Sequence, residues 1–256
     1  MKRHLLKNIE RVKELAGSKR ISLFLDYDGT LTPIVARPEV ATLSFQVKEI
    51  LRKLVRLYPT AVITGRGLED IRERVPIGGL VYAANHGMEV WSTGFTMVFD
   101  AGRDVGAELK KLLAAFNGLV KKFKGVIVED KGATLSVHYR LLDIKEVKAF
   151  KAALRELAAP SVEKGLVKLT EGKKVFELRP PVSWNKGRVV EWIMQRDGFS
   201  GTFPLYVGDD ETDRDGFRAV KGKGLSVFVG GMDDEADFYL NSQDEVRPFL
   251  EWLRGR

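Results

Sequence analysis

The 256-residue chain contains no cysteine. That excludes disulfides, zinc–thiolate sites and a cysteine nucleophile, and it suits a reducing compartment, so the expected location is the cytoplasm. Long hydrophobic runs are missing too. No apolar stretch approaches the roughly 20 residues needed to span a bilayer, and no membrane partner is expected. The first residues do not read as a secretory leader, because Lys7, Glu10 and Lys13 interrupt every apolar stretch. Leu5, Leu6, Ile9, Val12 and Leu15 instead follow a helical stripe, which predicts an amphipathic helix within residues 1–18.

Acidic charge is in short supply in one region only. The formal charge is +7. Between Val105 and Pro180 there are 16 Lys and Arg against 9 Asp and Glu, so the whole excess lies there and the rest of the chain is balanced. Such a segment attracts anions, either nucleic acid or a phosphorylated small molecule. No aromatic-basic stacking pattern or recognition motif accompanies it, which argues against nucleic acid. Most of these charges, Lys110, Lys111, Lys148 and Lys151 among them, fit solvated helix faces.

What is present is an alternation of strand and helix patterns. Ile21 to Leu25 is a short apolar run of the kind that forms a buried parallel strand. Further strands are predicted near 61–63, 80–84, 205–207 and 225–229, with helices near 44–57, 68–74, 187–195, from 212 and over 243–253. The order predicts an α/β fold, a doubly wound parallel sheet of Rossmann-like type. The middle differs: a helix near 104–122, strands near 126–129 and 133–138, a helix near 144–157, and strands near 166–169 and 174–178. This α-β-β-α-β-β order predicts an inserted α+β cap over 104–180, with the core formed by 19–103 and 181–256. Ala101-Gly102 and Pro180-Pro181 mark its edges.

The strongest chemical signal is Leu25-Asp26-Tyr27-Asp28-Gly29-Thr30-Leu31-Thr32 at the end of the first core strand. Ligands of doubly wound sheets bind beyond the carboxyl ends of the strands. In extended chain, residues two apart point the same way, so Asp26 and Asp28 are expected to face one crevice. Two facing carboxylates repel unless a hard cation such as Mg²⁺ lies between them. An ordinary Asp- and Gly-rich turn is the plainer reading. Thr64-Gly65-Arg66 follows the second core strand and offers a hydroxyl and free amides to a phosphate. Lys186 begins a later helix, where it can neutralise developing charge. Asp209, Asp210, Glu211 and Asp213 crowd the end of a buried strand; capping explains one or two of these carboxylates, and a metal explains the set.

These motifs, in this order, resemble the haloacid-dehalogenase-like phosphatase superfamily. The fuller set, Asp26-Tyr27-Asp28-Gly29-Thr30-Leu31-Thr32-Pro33, Asn85-His86-Gly87, His138-Tyr139-Arg140, Phe176-Glu177-Leu178-Arg179-Pro180, Asn185-Lys186-Gly187 and Gly208-Asp209-Asp210-Glu211-Thr212-Asp213, resembles the trehalose-6-phosphate phosphatase family. One departure is Arg214-Asp215-Gly216-Phe217, where relatives commonly carry an acidic residue and then Ala-Phe. The resemblance implies Mg²⁺-dependent hydrolysis of trehalose 6-phosphate through an aspartyl phosphate on Asp26. It implies Asp28 as acid and base, and Thr64, Gly65 and Lys186 as phosphate ligands. Asp26, Asp28 and Asp209 are implied as metal ligands, with Asp210 or Asp213 bound directly or through water. A separate trehalose-phosphate synthase is the implied companion.

Sugar recognition is expected in the cap, where polar side chains can meet many hydroxyls. Glu177 is the first candidate, then Lys174 and Arg140. Lys174 and Glu177 are assigned to one strand but cannot share a face at a spacing of three. Arg66 and Arg37 lie on loops at the crevice side, where either could meet substrate or anchor a loop; His86, after a core strand, is either a ligand or a turn histidine packed under the cap, and His138 reads as structural. The rival readings are a phosphatase of mannosyl- or glucosyl-phosphoglycerate or of sucrose phosphate, a non-catalytic sugar-phosphate-binding module, and a basic nucleic-acid binder.

Overall fold

Hydrophobic runs too short for helices and too apolar for an exposed surface become the centre of a sheet. The computed structural model describes residues 3–35, 37–100 and 102–255. Along the chain come β1 (Arg3–His4), α1 (Ile9–Ala16), β2 (Ile21–Asp26), α2 (Phe45–Leu57), β3 (Thr60–Ile63), α3 (Leu68–Arg74), β4 (Leu80–Ala84), β5 (Glu89–Trp91) and β6 (Thr96–Val98). The inserted segment contributes α4 (Arg103–Lys122), β7 (Ile127–Asp130), β8 (Leu135–His138), α5 (Val147–Glu163), β9 (Lys168–Gly172) and β10 (Val175–Arg179). The chain then continues through α6 (Lys186–Ile193), β11 (Phe203–Gly208), α7 (Asp213–Val220), β12 (Leu225–Val229), β13 (Phe238–Leu240) and α8 (Val246–Gly255).

Among the described residues the large sheet has nine strands in the order β1-β13-β12-β11-β2-β3-β4-β5-β6. All neighbours from β1 to β4 pair parallel, and β5 and β6 extend the edge antiparallel. Every residue of β2 is buried, as a strand covered on both faces requires. Leu23 and Leu25 pack with Val47, Leu51 and Leu54 of α2 and Phe249 and Leu253 of α8. Phe24 points the other way, with Val189 and Ile193 of α6 and Phe217 of α7. From β2 the chain winds outward through β3 and β4, whereas β11 pairs on its opposite flank. The order reverses between β2 and β11, and that reversal is where such sheets open a crevice.

By its internal contacts the chain divides into two units, one reaching Val98 and resuming at Trp184, the other Phe99–Ser183. Within the second unit the four strands pair antiparallel in the order β7-β8-β10-β9. Leu135, Val137, Phe176 and Leu178 face Leu112 and Phe116 of α4 and Phe150 and Leu154 of α5, so both helices cover one face.

Several elements differ from the sequence expectation. The amphipathic helix begins at Ile9; Arg3–His4 instead pairs with Phe238–Tyr239, adding a strand at the sheet edge. β5, β6 and β13 are three residues each, too short to show a two-residue period. Lys174 is not on a strand: it lies in the turn between β9 and β10 with φ +69°. Helix α5 continues past 157 to Glu163, with Pro160 inside it. Ala101, expected to open the insert, lies outside the described residues. No described helix is long and apolar enough to cross a membrane.

Candidate active site

Register brings three strand ends together. Asp26 is the last residue of β2 and sits opposite Ile63, the last residue of β3, so Thr64 follows one step beyond that strand's end. On the other flank Leu25 pairs with Val207, and Gly208 and Asp209 follow. The buried carboxylates of Asp26, Asp209 and Asp213 offer oxygens that all lie within 4.8 Å of one another.

Lys186, the first residue of α6, enters this group from a helix whose start is fixed by the Asn185 side chain accepting from Arg188 N. Its ammonium donates to Asp26 Oδ1 at 2.6 Å and to Asp213 Oδ1 at 2.7 Å. Burial disfavours that charge, but Asp213 and Asp26 outweigh it and hold the ammonium well above its ordinary range. For Asp26 the balance runs the other way. Burial, then the Asp213 charge, push its carboxyl well up; Lys186 opposes them and Asp209 adds to them.

Asp213 is saturated. Its Oδ1 also accepts from Tyr206 OH at 2.8 Å, and its Oδ2 accepts from Asp209 N at 3.1 Å and Asp210 N at 3.0 Å. The Asp210 carboxylate accepts from Glu211 N at 2.7 Å and so caps its own turn. Gly29, at φ +93°, lies against Asp209: a Cβ there would be 2.3 Å from Asp209 Oδ2. Three buried carboxylates against one ammonium leave an excess of negative charge, and every donor is a hard oxygen. The set fits a divalent hard cation. Asp26 and Asp209 are the side chains with capacity for it, since Asp213 is spent on Lys186, Tyr206 and the turn.

Asp28 lies two residues beyond the end of β2, so strand alternation does not fix its direction. Its direction is set by the turn and by Arg66, which donates Nε to Oδ2 and Nη2 to Oδ1, each at 2.7 Å. Thr64 is buried and its Oγ1 accepts from Arg66 N at 3.1 Å. His86 N donates to Thr64 O and Asn85 N to Arg66 O, which seats the 85–87 turn on the 64–66 turn. The fit is close: a Cβ on Gly65 would be 2.7 Å from the His86 ring. Asn85 and His86 both adopt left-handed backbone, φ +49° and +57°. Arg37 is exposed.

Within the second unit Glu177 stands in register with Ser136 and Thr170, and Ser136 with Glu129. Glu129, Ser136, Glu177 and Thr170 thus form one row across the four strands, on the face away from α4 and α5. Lys131 Nζ lies 3.8 Å from Glu129 and 3.9 Å from Glu177, and His138 Nε2 is 2.9 Å from Glu129 Oε2. Lys174 and Arg140 are elsewhere. Lys174 Nζ is 5.9 Å from the Tyr139 ring centroid, and Arg140 donates to Lys173 O at 2.8 Å, so both gather at the β9–β10 turn. Sequence reasoning missed Tyr206 and the partners of Glu177. The row follows only from strand order and register, which no local pattern states.

A sequence model described as trehalose-phosphatase matches residues 24–243. Probable trehalose-phosphate phosphatase J of Arabidopsis thaliana is 35% identical, over 98% of this chain and 74% of that protein. Trehalose-phosphate phosphatase B of the same plant is 30% identical, over 97% and 70%. Among solved structures, the C-terminal domain of C. albicans trehalose-6-phosphate phosphatase superposes with a TM-score of 0.84 at 25% identity, covering 100% of this chain and 98% of that one.

Proposed function

Since this chain belongs to the trehalose-phosphatase family, a branch of the haloacid-dehalogenase-like phosphatases, we propose that it hydrolyses trehalose 6-phosphate to trehalose and phosphate on Asp26. The observation that carries this reading is Lys186 bridging Asp26 and Asp213 at the reversal point of the sheet, among buried carboxylates.

Asp26 attacks phosphorus in line with the departing sugar oxygen and becomes an aspartyl phosphate. Lys186 holds the attacking carboxylate in place and offsets charge on the phosphoryl oxygens. Asp213 orients Lys186 and ties down the 209–210 turn. Thr64 already accepts one amide, so its hydroxyl proton is left to donate to a phosphoryl oxygen, beside the Gly65 amide. Asp28 gives a proton to the leaving sugar oxygen, then takes one from the water that opens the aspartyl phosphate. Phosphatases of this type generally need a divalent metal, which we take to be Mg²⁺; Asp26, Asp209 and the Asp28 carbonyl would hold it, and it would supply positive charge to screen the carboxylates from the phosphoryl oxygens.

The row containing Glu177 supplies acceptors and hydroxyls of the kind that read sugar hydroxyls. A sugar phosphate is a charged metabolite retained inside the cell, so we assign the activity to the cytoplasm, beside a separate trehalose-phosphate synthase. The test is phosphate release from trehalose 6-phosphate within a panel of sugar phosphates, with Mg²⁺ or EDTA, for wild type and Asp26→Asn. Preference for trehalose 6-phosphate that disappears with EDTA and with the variant is expected. Activity confined to sucrose phosphate or a glycosyl-phosphoglycerate would keep the chemistry and discard the substrate.

A further inference from the structure

Arg66 spends its fork on a carboxylate of the chain itself. Nε and Nη2 grip both oxygens of Asp28 at 2.7 Å. The remaining nitrogen, Nη1, donates to Asp70 Oδ2 at 2.8 Å. Asp70 is held in turn by Arg74, whose Nε reaches both carboxylate oxygens at 2.8 Å. Arg74 Nη1 then donates to the backbone, to Ala41 O at 2.8 Å and Glu39 O at 3.1 Å. The Tyr27 ring lies 5.2 Å from the Arg66 guanidinium carbon, and Tyr27 OH is bound to Ala41 O at 3.0 Å. Arg66 is 6% exposed. A guanidinium fixed on two carboxylates, one ring and a relay ending in backbone has little freedom to follow a ligand.

We propose that Arg66 is the positioning residue of Asp28: its fork, set by Asp70 and Arg74, fixes the carboxyl that exchanges a proton with the sugar oxygen, and it does not serve as a phosphate ligand. The inference rests on the reading of Asp28 as acid and base. As the bond from Asp26 to phosphorus forms, the ester P–O bond breaks and the proton passes from Asp28 to the alkoxide. A misplaced carboxyl therefore penalises leaving groups that need that proton. A p-nitrophenyl ester does not, because its anion departs unaided.

The experiment measures kcat/KM for trehalose 6-phosphate and for p-nitrophenyl phosphate with Mg²⁺, in wild type, Arg66→Lys, Arg66→Gln, Asp70→Asn and Asp28→Asn. The sugar-to-aryl ratio is internal to each variant, so a partly unfolded preparation cancels. It should fall by about tenfold or more in both Arg66 variants, less in Asp70→Asn and most in Asp28→Asn, in keeping with the scale of acid catalysis. Lysine keeps the charge but not the fork, so it should not restore the ratio. Equal losses on both substrates in the Arg66 variants, or recovery by lysine, would overturn the proposal while Asp28→Asn still lowers the ratio. An unchanged ratio in Asp28→Asn would instead overturn the acid assignment, and the proposal with it.

Discussion

Tyr206 donates its phenolic hydrogen to the same Asp213 oxygen that Lys186 reaches, at 2.8 and 2.7 Å respectively. Burial and then the Asp213 charge push the phenol well above its ordinary range, so it remains a donor at any working pH. The phenol and the ammonium together fix one carboxylate oxygen, and through it the position of the lysine beside Asp26.

Tyr206→Phe removes a neutral donor from a buried carboxylate and adds no bulk. The expected stability loss is about 1.5–3 kcal/mol, the usual worth of a hydrogen bond to a charged group. Urea unfolding measures it. Turnover should fall with the binding constant for substrate little changed, because the phenol acts only by holding Asp213.

Stability of the metal-free protein should depend on pH through Asp26. Its folded pKa is raised, so its contribution is full below the unfolded value near 3.8 and is lost as pH rises through the folded pKa. A divalent cation favours the ionised carboxylate and cancels that loss. The gain in melting temperature on adding Mg²⁺ to EDTA-treated protein should therefore grow from pH 5 toward neutrality. A gain that shrinks over that interval would count against Asp26 as a ligand.

Gly29→Ala places a Cβ 2.3 Å from Asp209 Oδ2 at a φ of +93°. The left-handed backbone alone costs roughly 1–2 kcal/mol. The overlap must also move the Asp209 carboxylate. Titration calorimetry with Mg²⁺ should show weaker binding by tenfold or more, about 1.4 kcal/mol.

Glu177→Ala removes an acceptor from the row on the sheet of the second unit. KM for trehalose 6-phosphate should rise about tenfold, while hydrolysis of p-nitrophenyl phosphate, which has no sugar, changes by less than about twofold. Equal changes for both substrates would move sugar reading to other residues.

Much of the fold was legible because buried parallel strands announce themselves: Ile21 to Leu25 and Leu225 to Val229 are short, mostly apolar and almost wholly buried, and stretches of helical period lie between them. Asp26, Lys186 and Asp209 were legible because each stands at the end or start of such an element. The Asp28 side chain was less so. Alternation predicts its direction only while the strand lasts, and the strand stops at Asp26. Lys174 precedes the strand-like Val175 and Phe176, and the sequence pattern extends their strand to include it; its own left-handed φ belongs to the turn. Glu129 and Ser136 carry no local mark, since what joins them to Glu177 is pairing across strands far apart in sequence. Tyr206 read as one more apolar residue of β11, and only the tertiary structure brings Asp213 under its hydroxyl.

Lys186 stands 160 positions beyond Asp26, yet their side chains touch. All of the second unit, from Phe99 to Ser183, lies between them in the chain. Contacts that close so long a loop form late, after those between sequence neighbours. During synthesis on the ribosome Asp26 therefore emerges before Lys186, and the two can meet only after the whole insert has been made. The proposed nucleophile thus has no lysine beside it until every residue between the two has been added.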